Sequence, residues 1–149
     1  MENKEQVISM NFDARLEMDK LNKIMKKRGL EERGRVQKFI DSEVITLCEP
    51  YEPFQTGTMH KNALTGTIAG SGEVVWEGPY AHYLYYGILY VSPTTGSSWA
   101  KQGEKKVSTG TDLKYDGAPK RGSYWFERMK ADHLHSILKG AAEVAGANT

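Results

Sequence analysis

One run of residues constrains this fold more than any other. Val36, Phe39, Ile40, Val44, Leu47 and Cys48 recur at helical spacing, and Pro50 and Pro53 follow at once. Apolar residues three and four apart share one face of a helix, and proline removes the donor that a further turn would need. The run therefore predicts a helix over about residues 31–48 with one buried side. Gly34 would weaken its first turn by up to ~1 kcal/mol relative to alanine. Two further stripes offer partners for that side. Ala14, Met18, Leu21, Ile24 and Met25 predict a helix over residues 13–28, with Asp13 as N-cap, Gly29 just past its end and Leu16 off the stripe. Ser123 can cap a third helix over residues 123–145, whose apolar face holds Trp125, Phe126, Met129, Leu134, Ile137, Leu138, Ala141 and Val144. The expected core draws on Phe39, Ile40, Val44, Leu47, Trp125, Phe126, Met129 and Ile137.

Between these helices the pattern changes. Residues 50–57 carry two prolines and a glycine and read as a rigid connector. Residues 63–69 and 73–77 hold the β-formers Thr65, Thr67, Val74, Val75 and Trp76, and Gly70-Ser71-Gly72 supplies a turn, so a hairpin is expected there. Gly66, Gly70 and Gly72 lack the Lys-Ser/Thr and the following helix that a phosphate cradle needs. Residues 7–12 suggest a short N-terminal strand. Two N-terminal helices, an antiparallel hairpin and one long C-terminal helix in 149 residues predict a single α+β domain.

The strongest local signature lies at residues 79–87, where four of the eight tyrosines fall within nine positions. Pro79 suits the start of a short helical turn and Gly87 its left-handed end. In such a turn Tyr80, Tyr83 and Leu84 share one side and Tyr86 lies on another. Tyrosine covers a large area at low entropic cost and keeps a polar tip, which suits subunit contacts as well as cores. Residues 92–122 follow with scattered glycines, little apolar period, and six basic against three acidic residues. A segment of this length without regular pattern is expected to be a mobile loop or an arm that orders on a partner. Trp99, Leu113 and Tyr115 favour the arm, and residues 107–113 offer a strand within it.

Catalytic and ligand-binding signatures are hard to find. His60, His82, His133, His135 and Cys48 are scattered, and His133 and His135, two apart, point to different faces of a helix. No Gly-x-Ser-x-Gly elbow is present. No catalytic, cofactor-binding or metal residues are expected, and Cys48 reads as a small core hydrophobe. A single cysteine, no basic-then-apolar leader and no apolar run near ~18 residues suggest a chain made in a reducing cytoplasm, without a membrane span.

Three classes compete: a structural subunit acting through interfaces, a small nucleic-acid binder, and an enzyme whose site composition hides. The binder would use Lys23, Lys26, Lys27 and Arg28 with the basic arm. Its difficulty is a net charge of +1, since phosphate contacts need concentrated positive surface.

The order of five motifs adds to this reading. They are Gly34-x-x-Gln37; Pro50-Tyr51-x-Pro53-Phe54-x-Thr56-Gly57; Gly70-x-Gly72; Pro79-Tyr80-Ala81-x-Tyr83-x-Tyr85-Tyr86-Gly87; and Trp125-Phe126-Glu127-Arg128-Met129. Together, over roughly residues 30–146, they resemble a minor capsid protein family of phages and prophages of Gram-positive bacteria, related to tail-completion or head–tail joining proteins. The resemblance implies a small α+β subunit with helices packed on an antiparallel sheet. It also implies a homo-oligomeric ring, six-fold or twelve-fold, in the particle's neck, touching connector and tail proteins and DNA passing through the channel. Tyr80, Tyr83, Tyr85, Tyr86, Trp99, Leu113 and Tyr115 are then the expected subunit contacts. The virion would be the final location.

Overall fold

The computed structural model describes residues 14–147, with side chains from residue 18 onward. The expected strand over residues 7–12 and the Asp13 cap lie outside them. In chain order the elements are α1 (Ala14–Arg28), α2 (Arg35–Cys48), α3 (Thr58–Gly66), α4 (Ala81–Tyr86), β1 (Ile88–Val91), β2 (Val107–Asp112) and α5 (Trp125–Val144), with a 3-10 turn at Glu49–Tyr51. The fold is a small α+β one, with five helices and a two-stranded antiparallel sheet among the described residues.

Helices α2 and α5 make the main packing contact and supply most of the core. Val44, Cys48, Tyr51, Met59, Ala81, Trp125, Met129 and Ile137 are buried together, and Ile40, Leu47 and Phe126 pack against them half-buried. Phe39 lies on the same helix, against Gly140 of α5. A Cβ built at Gly140 would come within 2.5 Å of the Phe39 ring, so glycine lets these two elements approach.

Helix α2 starts later than its apolar stripe suggests. Gly34 is its N-cap and not part of its first turn, with extended backbone. Residues 31–33 form a turn before it, and Arg33 takes φ 56°. A Cβ at Gly34 would meet the Gly29 carbonyl oxygen at 2.4 Å, so this corner excludes every larger residue.

The expected hairpin at residues 63–77 does not form. Residues 63–66 belong to α3, which buries Met59 and Ala63 one helical turn apart. Residues 73–77 run irregularly beside that helix, held by its side chains and not by a partner strand. Thr67 Oγ1 accepts from Val75 N at 3.0 Å, and Asn62 Nδ2 donates to the Glu77 carbonyl. The Gly70 and Gly72 amides do cradle an anion, and it is an internal one. Asp41, 2% exposed, accepts from Gly70 N at 2.7 Å and Gly72 N at 3.2 Å through Oδ2, and from Gln37 Nε2 at 2.8 Å through Oδ1. A buried carboxylate needs such donors, and residues with positive φ turn them toward it.

The sheet comes from elsewhere. β1 pairs with β2 antiparallel, Ile88 opposite Asp112 and Val91 opposite Val107, with an irregularity between Ile88 and Tyr90. Within residues 92–122 the strand expected over 107–113 forms as β2, and the remainder is turns and irregular chain. Glu104 organises the loop before β2 by accepting from Ser92 Oγ at 2.7 Å, Thr94 Oγ1 at 2.8 Å and Lys101 N at 2.9 Å. These donors, Ser92 first, hold its carboxyl down at about 2. A depressed carboxyl stabilises the loop above the ordinary glutamate range and loses that contribution as pH falls through its folded value. Glu104→Gln is therefore expected to raise amide exchange at Thr94 and Lys101 at neutral pH while leaving global unfolding in urea unchanged. In the native chain the same loosening should appear on acidification from about pH 4.5 toward 2.

Helix α1 departs most from expectation. Gly29 ends it with φ 73°, and Leu30 N donates to the Met25 carbonyl, a left-handed cap of the usual kind. Of its stripe, Met18, Leu21 and Ile24 are each about half exposed, as is Leu30 beyond its end, while Met25 is half-buried. Its C-terminal end is tied to the end of α5. Arg28 Nη1 donates to the carbonyls of Ala145 and Gly146, and Arg35 links the Val144 and Lys27 carbonyls. On α5, Leu134 and Leu138 are also exposed and leave the broad predicted face incomplete.

Candidate assembly surface

Helix α4 forms where Tyr80 ends one turn and Gly87 ends the next. Gly87 takes φ 74° and its N–H donates to the Tyr83 carbonyl. A Cβ there would press on Ser123 Cβ at 2.9 Å, so both backbone and space require glycine. The helix then presents its rings as its period dictates. Tyr80, Tyr83 and Leu84 face one side, and they line an apolar groove of about 680 Å³. Pro53 and Met59 form its other wall, β1 contributes Ile88, Leu89 and Tyr90, and the loop between the strands adds Ser98 and Trp99. Trp99 is 78% exposed at its rim. Lys106 lies 5.7 Å above the Tyr80 ring and 5.9 Å above that of Tyr83, and is the one charged residue lining the groove among the described residues.

Four of the seven expected contact residues, Tyr80, Tyr83, Trp99 and Leu113, therefore converge on this groove. Tyr85 and Tyr86 lie on the other side of α4. The Tyr85 ring meets Trp125 at 4.7 Å and Tyr124 at 5.5 Å, and its hydroxyl donates to Glu127. Burial first, and then that bond, push its phenol well up. Tyr86 is half exposed beside Tyr124. Tyr115 is an internal tie, its hydroxyl donating to the Leu84 carbonyl.

A second cluster collects titratable groups around Tyr51. Its hydroxyl donates to Asp132 Oδ2 at 2.5 Å and lies 3.2 Å from His133 Nε2 and 3.3 Å from Lys120 Nζ. The bond to Asp132 raises the phenol pKa, so the group is held neutral as a donor. Its carbonyl accepts from Gly122 N and Arg128 Nη2. Arg121 reaches the carbonyls of Glu49 and Glu52 at 2.9 and 2.8 Å and the Glu49 carboxylate at 3.0 Å. These contacts fasten the end of the 92–122 segment to the body. Sequence spacing had no means of finding them, because Tyr51 and Asp132 are 81 positions apart.

Glu52 is buried, 1% exposed. It accepts from Trp76 Nε1 at 2.7 Å, and its other oxygen lies 4.0 Å from His60 Nδ1 with no hydrogen bond to it. Burial raises its pKa against the pull of Trp76, His60 and Arg121. The folded state thus holds this proton more tightly than the unfolded chain, and stability from this group falls as pH rises above the ordinary glutamate range. Glu52→Gln keeps an acceptor for Trp76 and is expected to flatten that fall in urea titrations at pH 4.5–7; an unaltered slope would count against the assignment.

Cys48 is fully buried, and desolvation pushes its thiol up to about 12, which leaves it unreactive. Among the described residues no three His, Cys, Asp or Glu side chains converge to hold a metal, and no helix is long and apolar enough to cross a membrane. Of the cations a nucleic-acid surface would enlist, Arg28, Lys120 and Arg121 are engaged in internal contacts. No family model, curated protein or solved structure matches the chain.

Proposed function

We propose that the chain is a structural subunit of the neck of a phage or phage-tail-like particle, assembled as a ring that completes the tail and joins it to the head connector. The observation that carries this reading is the aromatic groove. One of the two tyrosine-rich motifs that carry the resemblance to minor capsid and tail-completion proteins, residues 79–87, builds an open apolar surface rimmed by an exposed tryptophan. Open apolar surface rimmed by polar residues is a recurrent mark of contact and ligand sites. The other motifs of the resemblance occupy joints of the subunit: Gly34 at the α2 corner, Gly70 and Gly72 on Asp41, and Tyr51 and Arg128 in the cluster that closes the body.

The test separates folding from joining. Replacing residues 93–105 by a short turn removes Trp99 but leaves β1, β2 and the ties made by Tyr115, Lys120 and Arg121 intact. The shortened chain is expected to melt as the native one does and to leave heads and tails unjoined in a complementation assay. Normal particle yield from it would refute the reading.

A further inference from the structure

Two buried polar atoms face each other across a gap that no direct hydrogen bond closes. Trp76 Nε1 donates to Glu52 Oε1 at 2.7 Å, and Oε2 has no partner. His60 Nδ1 lies 4.0 Å from that oxygen, and it too is buried without a partner. Leaving either atom unmet is unfavourable. Two facing lone pairs repel, and so do two facing hydrogens, so the gap is best filled by one proton. We propose that Glu52 and His60 share that proton and thereby act as a switch. When the buried carboxyl ionises, the proton passes to Nδ1, and His60 turns a bare Nε2, an acceptor, toward solvent.

The two states differ by one proton. With the carboxyl neutral, Oε1 accepts from Trp76, Oε2–H donates to Nδ1, and the neutral imidazole carries its hydrogen on Nε2. With the carboxyl ionised, Nδ1–H donates to Oε2 and Nε2 is bare. One proton has crossed from Oε2 to Nδ1, and one has left Nε2 for water. A closure of about 1 Å brings the 4.0 Å gap into hydrogen-bond range. The His60 side chain is 30% exposed although Nδ1 is buried, so the ring turns another edge outward. The titration of an inaccessible carboxyl is thus displayed at the surface, where a donor becomes an acceptor.

The other neighbours leave Oε2 to the imidazole. Besides His60 on α3, the titratable or charged groups around Glu52 are Glu49 in the 3-10 turn, Arg121 at the end of the 92–122 segment and Cys48 at the end of α2. Arg121 donates to the Glu49 and Glu52 carbonyls and to the Glu49 carboxylate. Cys48 stays a neutral thiol. Burial favours the neutral form of Glu52, which moves the switch upward from the ordinary glutamate range. Its place in the chain gives it a consequence. Glu52 immediately precedes Pro53 and His60 immediately follows Met59, and both Pro53 and Met59 line the aromatic groove. A group that docks beside His60 therefore meets a donor in acid solution and an acceptor above the switch.

Long-range proton–nitrogen spectra of the full chain with nitrogen-15 histidine read the tautomer directly. At about pH 8 the hydrogen of His60 is expected on Nδ1, the reverse of the tautomer that a free imidazole prefers. In Glu52→Gln the side-chain oxygen still accepts from Trp76 and the amide group donates to Nδ1, so the hydrogen is expected on Nε2. A second reading needs no variant, and so stands even where Glu52→Gln does not fold. The Trp76 indole N–H resonance senses the charge on the carboxyl it meets. Between about pH 4 and pH 8 it is expected to move with the midpoint at which Nε2 loses its hydrogen, because the pair titrates as a unit. Three results overturn the proposal: a hydrogen on Nε2 of the native chain at about pH 8, the same tautomer in the native and Glu52→Gln chains, or separate midpoints for Trp76 and His60.

Discussion

Replacing Trp125 with alanine should cost the fold about 3–5 kcal/mol, the range found when a large buried aromatic is truncated. Trp125 is 1% exposed at the start of α5 and stands edge-on to Trp76 at 5.9 Å and to Tyr85 at 4.7 Å. The indole thus joins three separate parts of the chain: the irregular segment before α4, α4 itself and α5. Its loss should reach the aromatic groove too, because Tyr85 leans on it and shares α4 with Tyr83, with Tyr80 at that helix's N-cap. Urea unfolding followed by far-ultraviolet dichroism measures the loss. A cost under about 1 kcal/mol, a size more typical of surface substitutions, would mean that this residue is not the keystone of the core.

Asp41→Ala should rank next, at about 1–3 kcal/mol, because it leaves the buried backbone donor at Gly70 unsatisfied and frees the more exposed one at Gly72. The expected signature is local as well as global: exchange at those two amides rises further than exchange in α5. Asp41→Asn retains one acceptor and should lose less than alanine does. Equal losses from the two variants would show that packing, and not hydrogen bonding, holds the 70–72 turn against α2.

How much of this was legible beforehand divides along physical lines. The stripes of α2 and α5 revealed their helices, because burial on one face imposes a 3.6-residue period over fourteen and twenty residues. Helix α3 showed no such stripe. It buries only Met59 and Ala63, and the β-branched Thr65 and Thr67 near its end point toward strand on propensity alone. In place of a ladder, Thr67 uses its hydroxyl to hold Val75, a side-chain role that no propensity scale encodes. The strand β2, offered by residues 107–113, is exposed along its whole length and lacks apolar alternation, so nothing in its pattern pointed to β1 as its partner. Half of the groove was legible for the same reason as the helices: Tyr80, Tyr83 and Leu84 share a side by spacing. Trp99 and Leu113 join them only because the β1–β2 turn folds back, a long-range fact. The α1 stripe carries the plainest lesson. A period reveals that a face seeks apolar cover, and it is silent about which chain supplies the cover.

The proposed ring requires this molecule to work by contact with copies of itself. Mass measurement of the purified full chain across a concentration series, paired with negative-stain images of the largest species, tests it most directly. A concentration-dependent rise to a closed multimer seen as a ring is the predicted result. A single-subunit mass at every concentration, with no ring in the images, would contradict it.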